Sequence, residues 1–409
     1  MDRLIVKNFG PLKDVDITIN RVNLFIGENG SGKSVLAKLI TIIFDVLKTS
    51  SSEDKFLQKF IYYDINYLSN DTEIKLISNK DILLEYKNSD IKISKQLKEF
   101  FNNYQLLEDA LEQIELLKES NSQNIEKLKA IKNDKNNSNF AEEIKKLEED
   151  IKEHKKNIEG HQKKVKNLKN TFLKFSTNYI PAERNLVSLF NKALSSLIVA
   201  DIPLPKFLLQ FSSDFQKASN SINSLEFLNV KYISGGSEGH KIYFNKDSYL
   251  PLENSSSGIQ SALPLYLTVK YFSNKHGYIV IEEPEQNLFP KAQKETIEFI
   301  VGQNNQNSIF MMTHSPYILS TLNILLFAYK IAHINNELKN RVKEIVGEDK
   351  WINPDKFSAY YLENGIARDI KSKRGLISDN EIDEISEDIA EEFDILMEIY
   401  REYKHAKKD

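Results

Sequence analysis

The sequence predicts an α/β fold interrupted by a long helical insertion. Three observations predict it. A glycine-rich turn, Gly27-Glu28-Asn29-Gly30-Ser31-Gly32-Lys33-Ser34, lies between an apolar run of strand length and an apolar run of helical spacing. Between Leu97 and Phe175, apolar residues step by three and four on both sides of a polar breaker. Further on, two apolar runs of strand length end in polar groups, at Glu282-Glu283 and at Thr313-His314.

The composition sets bounds. A chain of 409 residues suits two or three structural units, and 41% hydrophobic residues suffice for a substantial core. The absence of cysteine excludes disulfides and zinc–thiolate sites and suits a reducing compartment, so the expected location is cytoplasmic. No apolar run approaches the roughly 20 residues that span a bilayer, so no membrane partner is expected. The opening residues, Met1 to Gly10, read as a strand rather than a signal peptide. A net charge of −4 does not advertise nucleic-acid binding by the whole chain, although DNA stays open as a partner.

The first element that carries chemistry is the glycine-rich turn. Val22 to Ile26 is β-branched and apolar, as a buried strand is, and Val35 to Leu47 is apolar at helical spacing. Gly27 to Ser34 therefore fits the phosphate-loop pattern in its required strand–turn–helix setting. Glycines let the backbone close round an anion with its N–H groups inward, and the helix N-terminus adds partial positive charge. A nucleoside triphosphate is the expected ligand: Lys33 reaches the β- and γ-phosphates, and Ser34 holds Mg²⁺.

The insertion comes next. Leu97, Phe100, Tyr104, Leu107, Leu111 and Ile114 form a stripe that continues through Lys118 and Asn121 to Ile125 and Leu128. A polar breaker, Asn133 to Asn139, precedes a second stripe of Ile144, Leu147, Ile151, His154, Ile158, His161, Val165, Leu168, Phe172 and Phe175. Two heptad seams about one turn predict an antiparallel coiled-coil hairpin, each arm roughly 50 Å long. A turn centred near Asn136 sets Lys118 about opposite His154. His154 and His161 lie two helical turns apart, too far to share a metal, and read as seam residues that fix register.

Beyond the insertion lies the acidic strand, Tyr278 to Glu283. Open α/β sheets bind ligands at the carboxyl ends of their strands. Neighbouring strand residues point to opposite sides, so the two carboxylates differ in role. Glu282 is expected to hold Mg²⁺ through water, and Glu283 to polarise the attacking water as general base. Ser308 to Met312 is another strand, with His314 at its tip as a γ-phosphate sensor. Asn254 to Ser261 precedes an apolar helix, so Ser257, Gly258 and Gln260 are candidates for a second anion-binding turn. Later segments add a strand over Leu326–His333 and another over Phe357–Leu362. A capping box at Ser378-Asp379-Asn380-Glu381 opens an amphipathic helix with Ile382, Ile385, Ile389, Phe393, Leu396 and Tyr400 on one stripe.

This order of motifs resembles the head of an ABC-type ATPase, in the soluble branch of the SMC, RecF and OLD-family proteins. More narrowly it resembles the OLD-like ATPase subunits of the antiphage systems Septu and PARIS. The residues that carry the likeness are Lys7 to Leu12, the phosphate loop, Tyr179-Ile180-Pro181-Ala182-Glu183-Arg184, Ser257-Gly258-Ile259-Gln260, Glu282-Glu283-Pro284-Glu285 with Leu288-Phe289-Pro290, and Thr313-His314-Ser315-Pro316. The likeness implies a homodimer, or an assembly of dimers, that sandwiches two ATP molecules. Ser257, Gly258 and Gln260 of one head then close on the γ-phosphate held by the other. It also implies a regulatory ATPase served by a separate effector protein, with a nuclease as the expected chemistry, because only 95 residues follow His314. A DNA-binding ATPase of repair or recombination is the alternative. Three departures stand out: Ile259 replaces the second glycine of a transporter signature, Glu282 stands where the wider class has aspartate, and no glutamine marks the lobe junction, where Glu183 and Arg184 sit. The expected division is a head over 1–92, the hairpin over 93–175, a junction and helical lobe over 176–256, the rest of the head over 257–375, and a terminal helix over 376–409.

Overall fold

The structure is a computed structural model and describes residues 2–46, 53–133, 141–172, 176–189, 203–236, 239–273, 277–303 and 307–378. The expected helix after Ser378 lies outside the described residues. In chain order the elements begin with β1 (Asp2–Phe9), β2 (Leu12–Ile19), β3 (Val22–Ile26), α1 (Lys33–Val46) and α2 (Glu53–Tyr62). They continue with β4 (Glu73–Ser78), β5 (Asp81–Lys87), β6 (Asp90–Ile93), α3 (Lys95–Asn133) and α4 (Ala141–Phe172). After these come β7 (Ser176–Ile180), α5 (Asn185–Leu189), α6 (Lys206–Ser221), β8 (Ser224–Phe227), β9 (Val230–Ser234), β10 (His240–Tyr243) and β11 (Tyr249–Pro251). The chain then forms α7 (Ser257–Ser273), β12 (Gly277–Glu282), α8 (Pro290–Gly302), β13 (Ser308–Thr313), α9 (Pro316–Ala332), α10 (Asn336–Ile345), β14 (Phe357–Glu363) and β15 (Ile366–Asp369).

Eleven strands form one mixed sheet in the order β6-β5-β4-β1-β2-β15-β14-β3-β13-β12-β7. Its two halves differ in kind. From β6 to β2 the pairs are antiparallel, and the burial alternates: Leu4 and Val6 of β1 are in the core while Lys7 is exposed. From β14 to β7 the strands run parallel, and every residue of β3 is buried. That is the pattern of strands covered on both faces, and α1 lies over β7, β12 and β13. The parallel half aligns the carboxyl ends of β3, β13 and β12 at one edge. The register pairs Ile26 with Thr313 and Met312 with Glu282, which brings the candidate site residues together there.

Between β7 and α7 the expected helical lobe is half sheet. Among the described residues it contains α5 and α6 followed by a four-stranded antiparallel sheet, β11-β10-β9-β8. Its strands are only three to five residues long, too short to read from alternation. Gly235 and Gly239 flank the connection between β9 and β10, and the Gly235 N–H donates to the Gly239 carbonyl at 2.8 Å. A second correction falls at Leu326–His333: the expected strand is the C-terminal half of α9. Its apolar run is a buried helix segment, which periodicity alone does not separate from a buried strand. Phe357–Leu362 does form a strand, β14.

In the insertion, α3 and α4 pack side by side. Ile114 and Ile151 are buried, and Asn121, Ile125, Leu128, Ile144, Leu147, His154, Ile158 and His161 are half-buried. Lys118, expected within the seam, is exposed. Among the polar positions between the helices, Asn121 and His154 have a buried Oδ1 and Nδ1 with no hydrogen-bond partner.

Candidate functional site

The phosphate loop turns at Gly27, where the strand ends. A Cβ there would meet the Leu362 carbonyl oxygen at 2.2 Å, so only glycine lets the loop pass so close to β14. Lys33 opens α1 and is buried, and its Nζ lies at the centre of the loop. It donates to the Gly27 and Glu28 carbonyls at 2.6 and 2.7 Å and to Ser31 Oγ at 3.2 Å. Burial lowers the Lys33 ammonium to about 8, although Glu283, Glu285, Glu282 and Glu28 pull the other way. Beside the loop, Pro11, Lys13, Asn29, Gly30, Asn364 and Gly365 border a cleft of about 290 Å³.

Ser34 and Glu282 stand 248 residues apart in sequence and meet: Ser34 Oγ donates to Glu282 Oε2 at 2.7 Å. The other carboxylate oxygen accepts from the Tyr179 hydroxyl of β7. Glu282 is 5% exposed, and burial raises its carboxyl above the ordinary range against those two hydrogen bonds. A buried carboxylate held by neutral donors, beside a serine hydroxyl at the edge of a phosphate loop, is a donor set that suits Mg²⁺.

Glu283 differs from Glu282 for a reason that strand alternation does not supply. It lies past the end of β12 with φ 44°, in the left-handed region, while its N–H still donates to the Met312 carbonyl at 2.8 Å. The chain turns there, and Glu283 is half-exposed where Glu282 is buried. His314, past the end of β13, faces it: Nε2 is 3.6 Å from Glu283 Oε1, an electrostatic contact longer than a hydrogen bond. The imidazole holds the Glu283 carboxyl below its usual range against the effect of burial, helped by Arg184 and Lys33. On its other side, His314 Nδ1 is 3.1 Å from the Gly27 carbonyl. A carbonyl only accepts, so Nδ1 carries a proton, and the attraction to Glu283 requires a second proton on Nε2.

The Ser257–Gln260 turn opens α7. Ser257 is exposed, but Gln260 is buried, with its amide donating to the Glu253 and Ser255 carbonyls at 2.9 and 3.0 Å. This geometry spends the amide on the approach to its own helix; a donor to a second molecule has to come from Ser257 or the helix N-terminus. A Cβ on Gly258 would lie 2.9 Å from the Asn287 carbonyl oxygen, so the turn sits directly on the loop after the acidic strand.

Four residues around the site carry no role that the sequence alone assigns. Tyr179 holds Glu282, and Arg184 donates to the backbone carbonyls of both Glu282 and Glu283. Glu285 Oε1 accepts from Thr313 Oγ1 at 2.7 Å and from the His314 N–H at 2.8 Å, fixing the strand end that carries the histidine. Asn287 donates to Ser261 Oγ at 3.0 Å. Tyr179 and Arg184 fall in a stretch singled out for resemblance, but nothing local reveals partners about a hundred residues away.

A phosphate loop, a buried acidic strand end and a histidine at the next strand, all at the carboxyl edge of a parallel sheet, define a P-loop nucleotide-binding protein. The chain belongs to the family described as "AAA domain, putative AbiEii toxin, Type IV TA system", which matches residues 22–320. Among solved structures it is similar to the Smc head domain with an extended coiled coil from Pyrococcus furiosus, at 11% identity over 95% of this chain and 100% of that one, with a TM-score of 0.33. It is also similar to the SMC head domain from Thermotoga maritima, at 10% identity over 90% and 97%, with a TM-score of 0.37. A structure of the recombination mediator RecF is similar at 12% identity over 90% and 97%, with a TM-score of 0.31. No curated protein matches the chain.

Proposed function

We propose that this protein is an ATPase of the ABC class that closes on ATP as a dimer. The observation that carries the proposal is the meeting of Ser34 with Glu282 at 2.7 Å, with Glu283 and His314 beside the same loop. Loop N–H groups and Lys33 bind the phosphates, and the nucleoside lies in the cleft beside Pro11 and Asn364. Ser34 and Glu282 hold Mg²⁺, which when bound neutralises charge on the phosphate oxygens. Glu283, kept ionised beside His314, takes the proton of the attacking water. With Nδ1–H given to the Gly27 carbonyl, His314 meets the γ-phosphate through Nε2–H of the doubly protonated ring, which donates to a phosphate oxygen. Each loop by itself leaves that phosphate partly solvated, and a second copy supplies donors from its Ser257–Gly258 turn.

The test is Glu283→Gln, with mass in solution measured with and without ATP·Mg²⁺ beside turnover. The expected result is a loss of turnover of roughly 10²-fold or more and a stable ATP-dependent dimer. Unchanged turnover sinks the assignment of Glu283; unchanged mass sinks the sandwich.

We further infer a regulatory role in an antiphage defence complex, in the manner of the OLD-like ATPases, with the chemistry carried by a separate effector, a nuclease in the simplest case. The motif order supports this reading, as does the seam of α3 and α4, read as an antiparallel coiled-coil arm suited to a partner protein. Nuclease activity of the purified chain without ATP or a partner would overturn the separation.

A further inference from the structure

Arg184 is 0% exposed, and its guanidinium is satisfied by backbone carbonyls. Nη1 donates to the Glu282 carbonyl at 2.7 Å and the Pro181 carbonyl at 3.2 Å, Nη2 to the Glu283 carbonyl at 2.6 Å, and Nε to the Ser261 carbonyl at 3.1 Å. One planar fork therefore joins the backbone of both site glutamates to α7, the helix opened by the signature turn.

The sequence of α7 also opens the carbonyl next to that bond. Pro264 lies inside the helix and has no N–H, so the Gln260 carbonyl loses its helical partner, and the ring crowds the preceding turn. Ser188 Oγ takes the freed Gln260 carbonyl at 2.7 Å, and Arg184 takes the next one, Ser261. Asn287 closes the strap from the other side through Ser261 Oγ, and Gly258 packs on the Asn287 carbonyl. Signature turn, lobe junction and acidic-strand exit are thus tied at four points.

We propose that Arg184 is a positioning residue that couples the signature turn to Glu283 of the same chain, so that contact made by the turn with a second copy's nucleotide sets the catalytic carboxylate of its own site. This rests on the ATPase reading above. Arginine suits that role: its charge is fixed, five donors lie in one plane, and Glu283 holds a left-handed backbone that must be kept in place.

The experiment is Arg184→Lys, a point charge that cannot reach all four carbonyls. The readouts are turnover, affinity for a fluorescent ATP analogue, and hydrogen exchange of residues 257–262 with and without ATP·Mg²⁺. A positioning role predicts kcat lower by roughly 10–100-fold with affinity within about twofold. It also predicts that ATP-induced protection of 257–262, seen in the wild type, is lost. Unchanged kcat, or kcat and affinity falling together in a fully folded variant, overturns it. Should Arg184→Lys fail to fold, Arg184→Gln, which keeps a planar amide donor in the same place but fewer bonds, decides by the same criteria. A wild type that binds ATP without hydrolysing it removes the ATPase reading alone; the exchange readout still decides the coupling. A wild type that binds no nucleotide overturns both.

Discussion

Burial tunes Lys33, the proposed phosphate ligand. With its ammonium lowered to about 8, the free chain loses the Lys33 proton as pH rises through that value. Bound polyphosphate favours the charged form, so above pH 8 binding must take a proton up. Nucleotide affinity is therefore expected to be full below pH 8 and to fall by up to about tenfold per pH unit above it. Calorimetry at pH 7, 8 and 9 in buffers of different ionisation enthalpy reads both the decline and the proton uptake; a flat dissociation constant through pH 9 contradicts it. Glu282 gives a second expectation at this scale. Tyr179 donates to its Oε1, and Tyr179→Phe leaves that oxygen buried without its donor. The Mg²⁺ concentration that half-saturates turnover is expected to rise on the order of 10-fold, as for other groups that orient metal ligands. A Mg²⁺ titration unchanged by the substitution shows that Tyr179 serves only the core.

At the scale of elements, the insertion carries the clearest polar defect. Asn121 and His154 sit in the seam between α3 and α4 with buried atoms that lack partners, each a cost of about 1–3 kcal/mol if it stays dry. His154→Leu is expected to raise the midpoint of thermal unfolding of that region while loosening its register. Calorimetry checks the first effect and cysteine cross-linking the second, in a chain with no native cysteine to interfere. A lowered midpoint means that His154 is satisfied by water. The two helices are legible because apolar residues recur at helical spacing over many turns, whereas Lys118 is exposed because a long side chain beside the packed face can turn outward. The parallel strands are legible for another reason: β12 and β13 are short apolar runs ended by polar residues, and β3 runs into the glycine-rich turn. Leu326–His333 has the same texture, and only Pro316 at the first turn marks it as helix. Strands β8 to β11 escaped notice because their pairing partners, not their own patterns, define them. The site followed the same rule: Ser34, Glu282 and His314 announce themselves by type and position, while Arg184 acts through carbonyls that any residue could present.

For the whole molecule, the question is what covers the mouth of the site. Phe289 is 79% exposed at the end of the loop that follows Glu283, and Tyr317 is 53% exposed directly after the segment that bears His314. A single exposed aromatic is ordinary. Two of them, on the two loops that carry Glu283 and His314, mark the rim that a second head must meet if it delivers its signature turn to the γ-phosphate. The expectation is specific. In the Glu283→Gln background, where ATP should trap the dimer, adding Phe289→Asp places a charge in that rim and should weaken the ATP-dependent dimer by roughly 30-fold or more. Affinity of the single chain for nucleotide should change by less than about twofold, because Phe289 has no part in the phosphate loop. Sedimentation with ATP·Mg²⁺ reads the first quantity and a fluorescent analogue the second. A dimer that persists through Phe289→Asp places the interface elsewhere, on the arm of α3 and α4 or on the antiparallel half of the sheet. The signature turn would then have no route to a second copy's nucleotide.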